Sequence, residues 1–179
     1  MTTIDAPALE PSPVDTDPIG TDWVALSSEP LDLATATRWA SVADCGAVVA
    51  FEGIVRDHSH DGEGVTAIDY EAHPRYAVTR MSEIAAAARR RWPELGRIVL
   101  WHRTGLVPLT ESSVVVVVSA AHRTSAFDPA RFCIDVVKEC VPVWKHEHRG
   151  GQSAPMLDGA DITDVASAAR AWFTREQAR

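Results

Sequence analysis

Two lysines stand out in this chain for the chemistry they could do. Lys138 and Lys145 lie seven residues apart on either side of Pro142, in the stretch FDPARFCIDVVKECVPVWKHE that runs from Phe127 to Glu147. A lysine walled by apolar groups and other cations loses basicity, so it can serve as acid, base or nucleophile near neutral pH. Further cations close apolar runs. Arg56 ends GAVVAFEGIVR, His102-Arg103 ends RIVLWHR, and His122-Arg123 follows a run of five valines. If these groups converge on one pocket, they suit an anionic ligand such as a phosphate. Arginine would hold it by a bidentate fork and lysine as a point charge. Spacing alone leaves the plainer reading open, in which each is a solvated surface cation.

Other chemistries find less support. His58 and His60 form one HxH pair, and His146 and His148 another, but neither has a cysteine or carboxylate partner at a zinc spacing. No metal site and no cofactor are expected. Cys133 and Cys140 share a helix face with Val136 and Val137 and read as core thiols. Nothing near Cys45 favours a reactive thiolate. The chain has no GxGxxG, no P-loop and no GxSxG.

The elements that must position these groups are legible. Asp128-Pro129 reads as a helix start, a capping carboxylate before a residue that needs no N–H donor. Phe132, Cys133, Val136, Val137 and Cys140 give that helix an apolar face, and Pro142 ends it, leaving Lys138 in the last turn. Ser113 to Ala120, with its valines, reads as a central strand buried on both faces. Gly46 to Arg56 reads as another strand covered on both sides, with Gly53 marking a bulge or a close backbone approach. Thr66, Ile68 and Tyr70 alternate along a strand expected to form an antiparallel hairpin with it, across the polar loop 57–64. Pro74 to Trp92 is an amphipathic helix ending in Arg89-Arg90-Arg91, cations that suit the helix C-terminus. Trp23 to Leu26 and Arg97 to Arg103 read as strands. Leu31 to Val42 reads as a helix capped by Asp32, and Asp161 to Ala178 as a last helix. Leu106 to Leu109 and the residues after Glu147 read as irregular.

With 179 residues the chain suits one domain with tails. Residues 1–21, rich in Pro, Asp, Thr and Ala, read as a disordered tail. A domain over 22–151 and a C-terminal extension over 152–179, which holds the last helix, are expected to follow. The net charge of −8 argues against broad nucleic-acid binding. No apolar run approaches the roughly 18 residues of a membrane span. The N-terminus lacks the basic and apolar regions of a secretory signal, and three scattered cysteines fit a reducing, cytoplasmic setting. Interleaved helices and strands with an antiparallel hairpin favour an α+β fold.

Taken in order, FEGIVR, YEA, HRTG, SAAHRTSAF and KECVPVWKHE resemble the large, catalytic subunit of molybdopterin synthase, over about Val24 to Gly151. The resemblance implies an α+β hammerhead-type fold and a homodimer. It implies that each protomer binds a small ubiquitin-like sulfur-carrier subunit, giving a heterotetramer. The carrier's C-terminal Gly-Gly thiocarboxylate would donate two sulfurs to cyclic pyranopterin monophosphate, making molybdopterin for molybdenum cofactor biosynthesis. It also implies a site. Lys138 and Lys145 are its catalytic residues, and Ile54, Val55, Arg56, His122, Arg123, His146 and Glu147 join them in binding substrate. Arg56 and His122-Arg123 would close the pocket from the ends of neighbouring strands. The family often has a second basic residue after the WK lysine, where this chain has His146. A non-catalytic scaffold that only binds the carrier is the alternative. It would be expected to have lost Lys138, Lys145 or Arg56, and all three are present.

Overall fold

The computed structural model describes residues 17–60, 62–150, 152–155 and 162–178. The N-terminal expectation of a tail therefore lies outside the described residues up to position 16. From Asp17 onward the chain reaches β1 (Asp22–Ser27), α1 (Leu33–Ala40), β2 (Ala47–Ile54), the short β3 (His58–Ser59) and β4 (Gly62–Glu63), and β5 (Val65–Ala72). Then come α2 (Pro74–Arg91), β6 (Leu95–Arg103), β7 (Gly105–Pro108), β8 (Ser112–Ala120), a 3₁₀ turn over Arg123–Ser125 and α3 (Phe127–Cys140). β9 (Val143–Arg149), β10 (Gln152–Pro155) and α4 (Val165–Gln177) complete the described chain. The fold is α+β.

Two four-stranded sheets organise it. The first has the order β1-β6-β8-β2, with β1 parallel to β6 and the other pairs antiparallel. The second, β10-β9-β5-β7, is antiparallel throughout. The valine run is the spine of the first sheet. Successive strand side chains alternate faces. Val114, Val116 and Val118 thus join the large core under α2, α3 and α4, while Val115 and Val117 meet α1 on the other face. Every residue of β8 is buried, as its composition requires.

The helices form where their caps and apolar faces predict. Asp32 Oδ1 accepts from the backbone N–H of Ala34 at 3.0 Å and Thr35 at 3.1 Å, which starts α1. α3 begins one residue before its expected cap. Ala126 is the N-cap and makes no side-chain cap, and Asp128 sits inside the first turn, where its charge suits the helix dipole. The helix ends at Cys140, before Val141 in extended backbone and Pro142. α4 buries Val165, Ala168, Ala169 and Trp172 in the large core, where Phe132 stacks on Phe173 at 5.3 Å. Arg89 is more than a helix-end cation. It pairs with Asp22 and donates to the carbonyls of Thr21, Leu95 and Gly96, clasping α2 to β1 and β6.

Three expectations need correction. β2 and β5 are not a hairpin: β2 pairs with β8 in the first sheet, β5 with β7 and β9 in the second. The residues between them instead hold the small β3–β4 hairpin. β2 is an edge strand, so it is only half covered rather than buried on both faces. The stretches taken as irregular, 106–109 and the residues after 147, supply β7 and the end of β9 with β10. Pro108 is tolerated because β7 is an edge strand and Pro108 is its last residue.

Gly53 does mark a bulge, with the β2–β8 register shifting after it. A Cβ there would sit 2.6 Å from Val114 Cγ1. Gly53→Ala should therefore force this part of the sheet apart and cost about 1–3 kcal/mol. Urea unfolding should show a lower midpoint at unchanged m, and an unchanged midpoint would mean that the edge strand yields freely.

Candidate active site

A cavity of about 540 Å³ opens where the end of α3 meets both sheets. Each wall follows from a local periodicity. Ile134, Val137, Lys138 and Val141 recur at three- and four-residue steps, so they lie along one side of α3 and its exit. On the second sheet, Ile68 pairs with Glu147 and Tyr70 with Lys145. Side chains two apart share a face, so these four form a floor. The bulged end of β2 brings Gly53, Ile54, Val55 and then Arg56. The β3–β4 hairpin adds His58, Ser59 and His60, and the first sheet adds His102, Ser113 and Val114.

Of the residues expected at the site, Ile54, Val55, Arg56, Lys138, Lys145 and Glu147 line this one cavity. His146, His122 and Arg123 do not. His146 stands between two floor residues on β9, so it faces the other side of the sheet, with Nε2 3.5 Å from Glu71 Oε2. His122 and Arg123 follow the C-terminal end of β8, whereas Ser113 and Val114, which line the cavity, lie at its start. Eight strand residues span roughly 25 Å. β2 runs antiparallel to β8, so the ends of these two strands deliver Arg56 and His122-Arg123 to opposite edges of the sheet. Within one chain they cannot close the same pocket.

The electrostatics are dominated by cations. Lys138 is exposed at the last turn of α3, and Lys145 is half-buried on β9. Arg56 donates through Nε to the His58 carbonyl at 3.0 Å, which leaves its Nη edge without a partner among the described residues. Glu147, only 4% exposed, is the counter-ion of Arg149, whose Nη2 lies 2.6 Å from Glu147 Oε2. The same Arg149 donates to Ser59 Oγ and to the Glu63 carbonyl, and Ser59 Oγ donates to Glu147. Glu147 and Arg149 thus latch the β3–β4 hairpin beside the cavity.

Strand logic also delivers Tyr70, His102 and Ser113. Tyr70 is buried and hydrogen-bonded to Ser113, which donates to the Gly53 carbonyl at 3.0 Å. Burial raises the phenol's pKa and the nearby Glu147 charge adds to the rise, against the Ser113 bond. The Tyr70 ring meets His102 edge-on, with centroids 5.3 Å apart. His102 closes a strand in the sequence, which marks it as a candidate, but its place in the cavity depends on how the two sheets meet. Cys133 and Cys140 are buried core thiols, and burial pushes them up to about 12 and about 11. Among the described residues no group of His, Cys, Asp and Glu has the arrangement of a metal site. Among the described residues no helix is long and apolar enough to cross a membrane.

The arrangement can hold an anion against Arg56, Lys138 and Lys145 and exchange protons with it beside an apolar wall. Comparisons with known proteins agree with one another. The family model described as MoaE protein matches residues 26–140. The molybdopterin synthase catalytic subunit of Thermoplasma volcanium is 47% identical over 118 residues, covering 66% of this chain and 82% of its own. The protein of the same name from Drosophila erecta is 40% identical over 126 residues, 70% of this chain. The chain spans only about a third of that relative's length, 34%. The X-ray crystal structure of molybdopterin synthase from Staphylococcus aureus superposes with a TM-score of 0.70 at 26% identity, over 74% of this chain and 96% of that one.

Proposed function

This chain belongs to the MoaE protein family, and we propose that it is the catalytic subunit of a molybdopterin synthase. It takes sulfur from the C-terminal thiocarboxylate of a small ubiquitin-like carrier ending in Gly-Gly. It inserts two such sulfurs into cyclic pyranopterin monophosphate to give molybdopterin. The observation that carries this reading is the convergence of Lys138, Lys145 and Arg56, from three separate elements, on one cavity.

The chemistry asks for such a site. The thiocarboxylate is an anion, the substrate carries a cyclic phosphate, and negative charge develops as the phosphate ring opens. Arg56, whose Nη edge has no acceptor among the described residues, suits the phosphate. Lys138 at the cavity mouth polarises the thiocarboxylate or moves protons, and Lys145 on the floor is the second cation. Ile54 and Val55 wall the substrate, and Glu147 acts by holding the hairpin that carries His58 and His60. His146 belongs to the outer face of the second sheet. His122 and Arg123, remote from the cavity of their own chain, are assigned to the cavity of the second protomer in a homodimer. With two carriers the assembly is a cytoplasmic heterotetramer. The catalytic domain covers 22–151, and α4 braces it from the C-terminal extension.

Purified protein, mixed with thiocarboxylated carrier and the cyclic precursor, should yield molybdopterin, read as its fluorescent oxidation product. Active partners that give no product with this chain would sink the proposal.

A further inference from the structure

We propose that His102 is the proton acceptor that activates water in this cavity, in the hydrolytic half of each sulfur transfer. The inference rests on the sulfur-transfer reading above. Atom balance then requires such a step. A thiocarboxylate that attacks through sulfur leaves its acyl group attached to that sulfur, as a thioester joining carrier and pterin. The carrier gives up sulfur alone, so a water oxygen must replace it on the acyl carbon. In that step the oxygen bonds to the acyl carbon as a base takes one water proton. The carbon–sulfur bond breaks and its electron pair stays on the pterin sulfur. The base returns its proton to the thiolate, and the carrier leaves as a carboxylic acid that loses the second water proton to solvent and becomes a carboxylate.

Burial sets His102 apart from the exposed hairpin histidines, His58 and His60, that share the cavity. His102 is only 7% exposed, yet it lines the cavity. Its Nδ1 lies 2.8 Å from the Arg103 carbonyl, an oxygen that can only accept, so Nδ1 carries the proton. Nε2 is then the lone-pair nitrogen, and it has no partner among the described residues. The edge of Tyr70 fixes the ring plane. Lys138, Lys145 and Arg56 are assigned to the anionic substrate and the sulfur-attack half of the transfer. Glu147 is occupied as the counter-ion of Arg149. The charges around His102 favour the neutral imidazole. Lys145 faces it from β9, with Lys138 on α3 and Arg56 after β2 in the same cavity. Burial first, and the Lys145 charge with it, push His102 down to about 4 against the Arg103 bond.

The test separates the two halves of the reaction. With thiocarboxylated carrier and precursor in single turnover, mass spectrometry follows the covalent carrier–pterin adduct and the released carboxylate carrier. In His102→Asn the amide N–H can still reach the Arg103 carbonyl, but no basic nitrogen remains. Adduct formation should stay within a few-fold of wild type, while its hydrolysis slows roughly 10²–10⁴-fold and the adduct accumulates. Hydrolysis at the wild-type rate in H102N would overturn the assignment, and so would an equal loss of both steps in a folded variant. Should H102N fail to fold, His102→Gln carries the same test, because it offers an acceptor that is not basic. Slow hydrolysis in His58→Ala or His60→Ala, with normal hydrolysis in H102N, would move the base to the hairpin and also overturn it. A wild-type chain that forms neither adduct nor product fails the sulfur-transfer reading itself, and this inference with it.

Discussion

Replacing Lys138 by alanine is expected to lower molybdopterin formation by at least about 10²–10³-fold, the loss typical of removing one preorganised group from a developing anion. The structure explains why the effect should be specific. Lys138 is exposed at the last turn of α3, while its neighbours Val136, Val137 and Cys140 carry the core. Truncating it opens no void. It gives up a cation near the helix C-terminus, worth about 0.3–1 kcal/mol at an exposed position. Circular dichroism and thermal unfolding should thus stay close to wild type, and carrier binding should persist. Lys138→Arg keeps the charge but not the compact ammonium, and it should recover only part of the rate. Turnover of Lys138→Ala within several-fold of wild type would remove Lys138 from the reaction and leave Lys145 as the main cation.

Glu147→Ala should strike both fold and turnover. The carboxylate is almost fully buried, and Oε2 receives Arg149 Nε, Arg149 Nη2 and Ser59 Oγ. Removing it leaves the Arg149 guanidinium beside the cavity without its counter-ion. Breaking a buried pair in this way costs about 3–5 kcal/mol. Arg149 keeps some solvent access, so about 3 kcal/mol is expected, read as a lower urea midpoint. The β3–β4 hairpin also loses its latch, leaving Arg149 only its bonds to the Glu63 carbonyl and Ser59. Turnover should fall because His58, Ser59 and His60 lose their fixed place. Glu147→Gln keeps the shape and one acceptor oxygen but not the charge, and it should lie between. Full activity and unchanged stability in Glu147→Ala would show that the latch holds nothing.

Gly53 and His102 point to the same principle from other parts of the molecule. Each owes its importance to a contact between elements far apart in sequence. A Cβ at Gly53 would need the space that Val114 of β8 occupies. His102 becomes a candidate base because Tyr70, from the other sheet, closes one side of it.

Much of this could be read from residue order alone. The capped start of α1, the amphipathic face of α2, the end of α3 at Pro142 and the buried valine strand β8 are local matters. They depend on caps, proline and periodicity within a few residues, and those forces act before any tertiary contact forms. The lysine at the tip of α3 follows from the same local rules, and so does the choice of Arg56 as a strand-end cation. Strand pairing does not. The apolar run of β2 and the alternation of β5 name no partner, because side chains alternate faces along a strand whichever neighbour it pairs with. Only the packing of the chain as a whole sent them to different sheets. That choice carried β9 through to Arg149, past Glu147, where the sequence reads as irregular. Strand parity then turned Lys145 and Glu147 into the cavity and His146 away from it. The antiparallel run of β2 and β8 set Arg56 and His122-Arg123 at opposite edges of one sheet. The residue types of the site were legible from the sequence; which of them share one cavity was decided by register and strand direction.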